Sequence, residues 1–130
     1  MDIKIISQTE KIFEGSCKQV TVPTRMGVIT ILPHHTNIIT VLDIGLLLMV
    51  LEDGSKKEIL INGGILEMVN NKINILANEA DLREDLVEKE ILDAIEAAQR
   101  KMSADISKAD LIRLERQLRY HKFKHSLLKK

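Results

Sequence analysis

After Ala77 the hydrophobic period of this chain changes from two to about 3.6, and no glycine or proline follows Gly64. Alternating side chains point to opposite faces of a strand, whereas a repeat near 3.6 collects them on one face of a helix. The chain is therefore expected to fold as an all-β N-terminal sandwich or barrel followed by an antiparallel α-helical hairpin. Its 130 residues are enough for one ordinary domain or two small ones, and 45% apolar content supplies a core.

Eight short β-branched runs separated by turn chemistry fill the first 78 positions, the signal for many short antiparallel strands. They are 3–6, 18–22, 28–32, 38–42, 46–51, 58–61, 65–69 and 72–76. Asp53-Gly54 and Asn70-Asn71 tolerate the positive φ of tight hairpins, and Pro23 and Pro33 are placed at the ends of runs because proline lacks an N–H. The β domain is assigned to 1–80 and the helical domain to 81–130, with 78–85 as the hinge. Helices are expected near 86–101 and 108–126. Asp85 with Glu88 forms one capping pair, and Ser107 with Asp110 forms a second. Helix one carries Val87, Ile91, Ile95, Ala98 and Met102 on one face, and helix two carries a seam of Leu111, Leu114, Leu118, His121, His125 and Leu128. A hairpin with one seam must lean on the β domain or on another protein.

Charge is arranged in blocks. Residues 1–78 carry a net −1, residues 79–99 carry −6, and residues 100–130 carry +7, for an overall charge of zero. Overall neutrality argues against a general polyanion binder, and Phe13, Tyr120 and Phe123, the three aromatic residues, provide no base-stacking platform. Nucleic acid is excluded on those grounds. The adjoining acidic and basic blocks read either as an antiparallel helix pair with solvated faces or as a basic arm seeking an acidic partner. The longest apolar run, 38–51, has 14 positions and contains Asp43 and Gly45, short of a transmembrane helix of about 20 residues. Met1-Asp2-Ile3-Lys4 has no export-leader pattern, and the lone Cys17 cannot form an internal disulfide, so a reducing cytoplasm is expected.

Several residues invite chemistry and are better read as structure. Gly63-Gly64 after a strand marks a tight turn or bulge with positive φ. Adjacent His34 and His35 point to opposite sides in extended chain, and a metal needs three or four convergent ligands. His121 and His125 share a helix face but lack a third ligand at suitable spacing, so they continue the seam. Nothing in the sequence places a base to activate Cys17. No catalytic residue, metal site or cofactor is assigned.

Three stretches combine into a resemblance. Val22-Pro23-Thr24, Gly27, then Ile31-Leu32-Pro33 and His35 resemble the strand and loop of the epsilon subunit of the rotary ATP synthase. Asn62-Gly63-Gly64-Ile65-Leu66-Glu67 resembles that family's Gly-Gly-apolar-Leu-Glu segment, and Asn71-Lys72-Ile73-Asn74-Ile75-Leu76-Ala77 is similar to its last strand. The match is collinear over essentially the whole chain.

The resemblance implies a non-catalytic rotor subunit in the central stalk of a proton-driven ATP synthase. Such a subunit passes rotation of the c-ring to the shaft, with a regulatory role in ATP hydrolysis for its helices. It implies the gamma subunit, the c-ring and acidic loops of the catalytic head as partners, without direct membrane insertion. It also implies a monomer when isolated and a peripheral position on the cytoplasmic face of the cell membrane. By position, Arg25, Met26, Gly27, Val28, His35 and Ile38 would meet the c-ring. Val28 stands where the family commonly has an acidic residue, and Thr30 where it has glycine. Arg113, Arg116, Arg119, Lys122 and Lys124 would meet the head. The family's ATP-binding motif, apolar-Asp-x-x-Arg-Ala, is degenerate here, with Val87 and Glu90 in place of Asp and Arg. A second register, 92–97, keeps Asp93 but puts Glu96 at the Arg position, so no ATP site is expected. Two other classes compete on the residues alone: a β-sandwich adaptor or chaperone with a helical clamp, and a small cupin-type enzyme using His34 and His35.

Overall fold

The computed structural model describes residues 1–128. It divides into two compact units, Met1–Glu84 and Asp85 onward. The first holds strands β1 (Asp2–Ile6), β2 (Lys11–Thr24), β3 (Gly27–Ile31), β4 (Ile38–Leu51), β5 (Lys56–Val69) and β6 (Lys72–Leu82). A 3₁₀ turn, Arg83–Asp85, ends this run of elements. Helices α1 (Glu88–Met102) and α2 (Lys108–Leu128) make the second unit. A β barrel followed by a helical hairpin is the architecture expected from the change of period.

Strand order is β1-β6-β5-β4-β2-β3, and β1 also pairs with β2, so five strands close into a barrel with β3 as a hairpin arm on β2. Closure removes most of the edges that would otherwise be open to pairing with another chain. The sequence leads one to expect antiparallel pairing throughout. Instead β1 runs parallel to β6, from Asp2↔Lys72 to Ile6↔Leu76. The chain leaves β1 along β2 and returns to β1 only through the last strand, so the direction of that final pairing is set by closure and not by a local turn.

Six strands replace the eight expected because 38–42 joins 46–51 and 58–61 joins 65–69. The link in β5 is Gly63-Gly64, which is neither a turn nor a bulge. β5 keeps one unbroken register with β4 and with β6 on both sides of the pair. Both glycines have positive φ, 71° and 134°, and a Cβ on Gly64 would lie 2.3 Å from the Leu76 carbonyl oxygen. The strand bends there in a conformation that side-chain-bearing residues rarely adopt. In β4 the join passes through Gly45, where a Cβ would sit 2.6 Å from Pro23 Cβ. Pro23 lies inside β2 and not at its end, beside the register shift between Thr21 and Thr24 where the ladder to β4 is interrupted. A missing N–H is tolerated at such an interruption.

Inward positions of every strand meet in one core that includes Ile3, Ile5, Val22, Leu47, Met49, Ile61, Leu66 and Ile75, each at most 1% exposed. Cys17 is buried in the same core, and desolvation pushes its thiol pKa up, as expected of an inert residue. The two turns expected from sequence are present. Gly54 has φ 87°, and Asn70 and Asn71 have φ 50° and 65°, the pair of left-handed residues that a two-residue hairpin with the strand's twist requires.

In the second unit, α1 starts two residues later than expected. Asp85 belongs to the 3₁₀ turn, and Val87 is the N-cap, in extended conformation without a side-chain capping bond, so the Asp85–Glu88 pair does not form. At α2 the expected signal holds: Ser107 Oγ accepts from the Asp110 backbone N–H at 3.2 Å. α2 runs two residues past the expected 126. Its buried residues are Leu114, Tyr120 and Leu127, while Leu128, placed in the expected seam, is 37% exposed. Tyr120 and Leu127 are seven apart and, at about 100° per residue, lie roughly 160° to 180° around the helix from Leu118, so α2 buries a second face and not only the expected seam. Segment 78–85 is not a linker, since β6 remains paired to β5 through Leu82.

Candidate functional site

The tip of the β2–β3 hairpin is built by Thr24. Its side chain, buried in an otherwise apolar set, donates to the Gly27 carbonyl at 2.5 Å and accepts from the Met26 N–H at 3.1 Å. Gly27 takes φ 115°, open to glycine at little cost. This rigid turn presents Arg25, Met26, Gly27 and Val28 outward, with Met26 93% and Val28 71% exposed. Arg25 N–H donates to the Val41 carbonyl at 3.1 Å, tying the tip to the first part of β4.

His35 lies in the loop that enters β4. Its N–H donates to the Leu32 carbonyl at 3.1 Å across Pro33 and His34, with His34 at φ 66°, the pattern of a type II turn. The loop is pinned to the β5–β6 turn by two bonds: His34 N–H to Asn71 Oδ1 at 2.8 Å, and Asn70 N–H to Asn37 Oδ1 at 3.0 Å. His35 Nδ1 lies 2.8 Å from the Thr36 carbonyl, so in neutral imidazole Nδ1–H donates and Nε2 remains the acceptor. Ile38 packs against the core, and its neighbour Ile39, 71% exposed, takes the outward position. Both loops carrying the expected c-ring residues are thus anchored at the start of β4.

A second surface was missed in the sequence reading. Val41, Ile65 and Leu76 are paired across β4, β5 and β6, and Ile6 of β1 continues the row. The first three are 42%, 51% and 51% exposed. A shallow concavity of about 370 Å³ lies along this row, edged by Lys4, Glu67 and Asn74. The signal was present as apolar residues at both even and odd positions of 38–42, 65–69 and 72–76. Only the register shows that the outward ones line up.

On α2, Arg113, Arg116, Arg119 and Lys122 are exposed and Lys124 is half-buried. Each step of three residues falls about 60° short of a full helical turn, so the first four wind around about half of the helix and do not form one stripe. Lys124 returns to the side of Arg113 and lies 4.5 Å from the centre of the Tyr120 ring. Arg113 pairs with Asp110 at 3.4 Å. At the start of α1, Val87 is half exposed and Glu88 and Glu90 lie in the first turn. Carboxylates there satisfy the positive helix end themselves and repel a triphosphate. His125 Nε2 of α2 lies 3.8 Å from Glu88 Oε1 of α1. Among the described residues no three His, Cys, Asp or Glu side chains converge as metal ligands, and no helix is long and apolar enough to cross a membrane.

Comparison with known proteins gives a consistent family relationship. Residues 1–83 match the family described as ATP synthase, delta/epsilon chain, beta-sandwich domain. The chain is 36% identical over 97 residues to the ATP synthase epsilon chain of Endomicrobium trichonymphae, covering 75% of this chain and 70% of that one. It is 34% identical over 118 residues to the ATP synthase epsilon chain of Bordetella petrii, covering 91% and 84%. Among solved structures, its fold is similar to a chain of the Euglena gracilis mitochondrial ATP synthase assembly of OSCP, F1 and c-ring. That match has a TM-score of 0.76 at 23% identity and covers 97% of this chain and 79% of that chain. A chain of the Tetrahymena thermophila mitochondrial ATP synthase central stalk and c-ring gives 0.58 at 12% identity, covering 95% of each.

Proposed function

From the premise that the chain belongs to the ATP synthase epsilon family, we propose that it is a non-catalytic rotor subunit of the central stalk. In this reading it links a turning c-ring to the shaft. The observation that carries the mechanical part is the outward apolar row Ile6, Leu76, Ile65 and Val41. An aligned apolar row on a barrel already closed by hydrogen bonds does no work in the barrel's own core, and contiguous exposed apolar surface marks a protein partner. The gamma subunit is the partner assigned to this row. Arg25, Met26, Gly27 and Val28, with His35, are assigned to the c-ring, and Ile38, packed against the core, is assigned a supporting place behind that contact. At Val28 the contact is apolar, in place of the acidic one common in the family. Peripheral attachment to the cytoplasmic face of the cell membrane follows from that assembly.

The helical unit is assigned the regulatory part. Arg113, Arg116, Arg119, Lys122 and Lys124 attract acidic loops of the catalytic head and slow ATP hydrolysis, an effect that added salt weakens. ATP itself is not held at the hairpin, because Val87 and Glu90 replace the groups that would meet it. A titration giving micromolar ATP affinity at physiological salt overturns that last point.

The decisive experiment adds the full chain, or a version ending at Asp85, to a catalytic head stripped of its own epsilon subunit. Both are expected to bind and only the full chain to inhibit hydrolysis. Binding of both without inhibition removes the regulatory role, and binding of neither removes the rotor assignment. Inhibition that survives Ala replacement of all five cations shows that they are not the contacts.

A further inference from the structure

The last turn of the first unit is held by a charge arrangement that neither sequence spacing nor family membership assigns. β5 and β6 stay in register to Ile59↔Leu82, and the next two residues of β5 and the two that follow β6 are charged. The Arg83 guanidinium pairs with the Glu58 carboxylate, both about two-thirds buried. Beside it Lys57 Nζ lies 3.5 Å from Glu84 Oε1, with Lys57 the more buried partner at 29% exposure. Lys57 is also placed 5.8 Å from the centre of the Phe13 ring on β2, which fixes its ammonium from a third strand. Two adjacent residues of β5 thus grip two adjacent residues of the 3₁₀ turn with opposite polarity, Lys to Glu and Glu to Arg.

The chain beyond is different in kind. Asp85 and Val87 are exposed, Val87 is extended with no side-chain cap, and α1 begins at Glu88. We infer that the Glu58–Arg83 and Lys57–Glu84 pairs form a double electrostatic clamp that locks residues 81–84 to the barrel and confines the pivot between the two units to Asp85–Val87. Three residues span about 10 Å at full extension, so the joint has few dihedrals to turn about. The clamp thus sets the first residue at which the chain is no longer held to the barrel. Because both pairs are partly solvated, the clamp weakens with salt, and its loss lengthens the joint backward into β6.

Hydrogen–deuterium exchange on the full chain tests this at low and high salt, comparing the wild type with the Glu58→Gln/Lys57→Gln double variant. In the wild type at low salt, amides of 81–84 are expected to exchange slowly with the barrel while 85–88 exchange fast. The double substitution is expected to speed exchange at 81–84 by about 3- to 10-fold, with Ile73–Ala77 unchanged. Raising the salt on the wild type alone moves the same segment in the same direction, which keeps the test available if the variant does not fold. Equal exchange at 81–84 and 85–88 in the wild type, no response of 81–84 to salt or substitution, or an equal acceleration at Ile73–Ala77 would each overturn the clamp. None of these readouts depends on which assembly the chain joins.

Discussion

In the first unit, strands from distant parts of the chain bury seventeen side chains in one closed core, whereas among the described residues the helical unit buries five: Ile91, Ala98, Leu114, Tyr120 and Leu127. The barrel is held by non-local ladders that stand or fall together. The hairpin is held by helical turns that each side of the chain forms for itself, plus a modest apolar contact area. The contrast teaches where change is tolerated: a unit with little shared core is the one that can rearrange, and short helices with few buried residues lie at the low end of local stability.

The strongest way to break the comparison is at Gly64. Gly64→Ala places a methyl against the Leu76 carbonyl oxygen at a backbone φ of 134°, and about 3 kcal/mol or more of barrel stability should be lost in urea unfolding. A loss below about 1 kcal/mol means that the strand relaxes at the bend and is not fixed there. Core truncation sharpens it next. Leu47→Ala, at a site with no exposed surface, should cost about 3 kcal/mol, and Leu114→Ala about half as much because the hairpin can partly collapse around the gap. Equal costs would mean that the helices are as tightly packed as the barrel.

Ser107→Ala removes the oxygen that meets the Asp110 N–H and should cost about 1 kcal/mol, read as lost helicity on heating. The smallest effect is at Cys17. Burial raises its thiol pKa in the folded chain, so its contribution to stability is full below the ordinary thiol value of about 8.5 and is lost as pH rises through the folded value. Between pH 8 and 10 the wild type should therefore lose stability faster than Cys17→Ala, and native Cys17 should resist maleimide until the barrel unfolds. Prompt labelling of the folded chain would place Cys17 outside the core.

Much of the fold was legible, for reasons that differ by element. Ile3 and Ile5, like Ile73 and Ile75, recur at every second position with Lys4 or Asn74 between them, and period two is a local property, so the strands they belong to were visible. Asn70-Asn71 and Asp53-Gly54 named their turns because so few residue types accept positive φ. The bend at Gly63-Gly64 was misread because a turn, a bulge and a bent strand all ask for the same glycines, and only the partners of β5 distinguish them. Asp85 and Glu88 had capping spacing, but Asp85 ends the 3₁₀ turn that follows β6, and the N-cap falls on Val87. Of the candidate sites, the exposed Arg25–Val28 turn was legible from Gly27 and the resemblance. The Val41–Ile65–Leu76–Ile6 row was not, because its members are scattered over four strands.

The sequence by itself determined that strands precede helices, where the hairpin turns lie, how charge is divided and which family the chain belongs to, since all of these are written in short-range pattern. Tertiary structure alone decided that β1 runs parallel to β6, that Gly64 sits against Leu76, that four outward side chains line up, and that Glu58 and Lys57 hold Arg83 and Glu84. Each of those joins residues about 12 to 70 positions apart. No local preference encodes such a pairing, which forms only when the burial of a common core brings the strands into register.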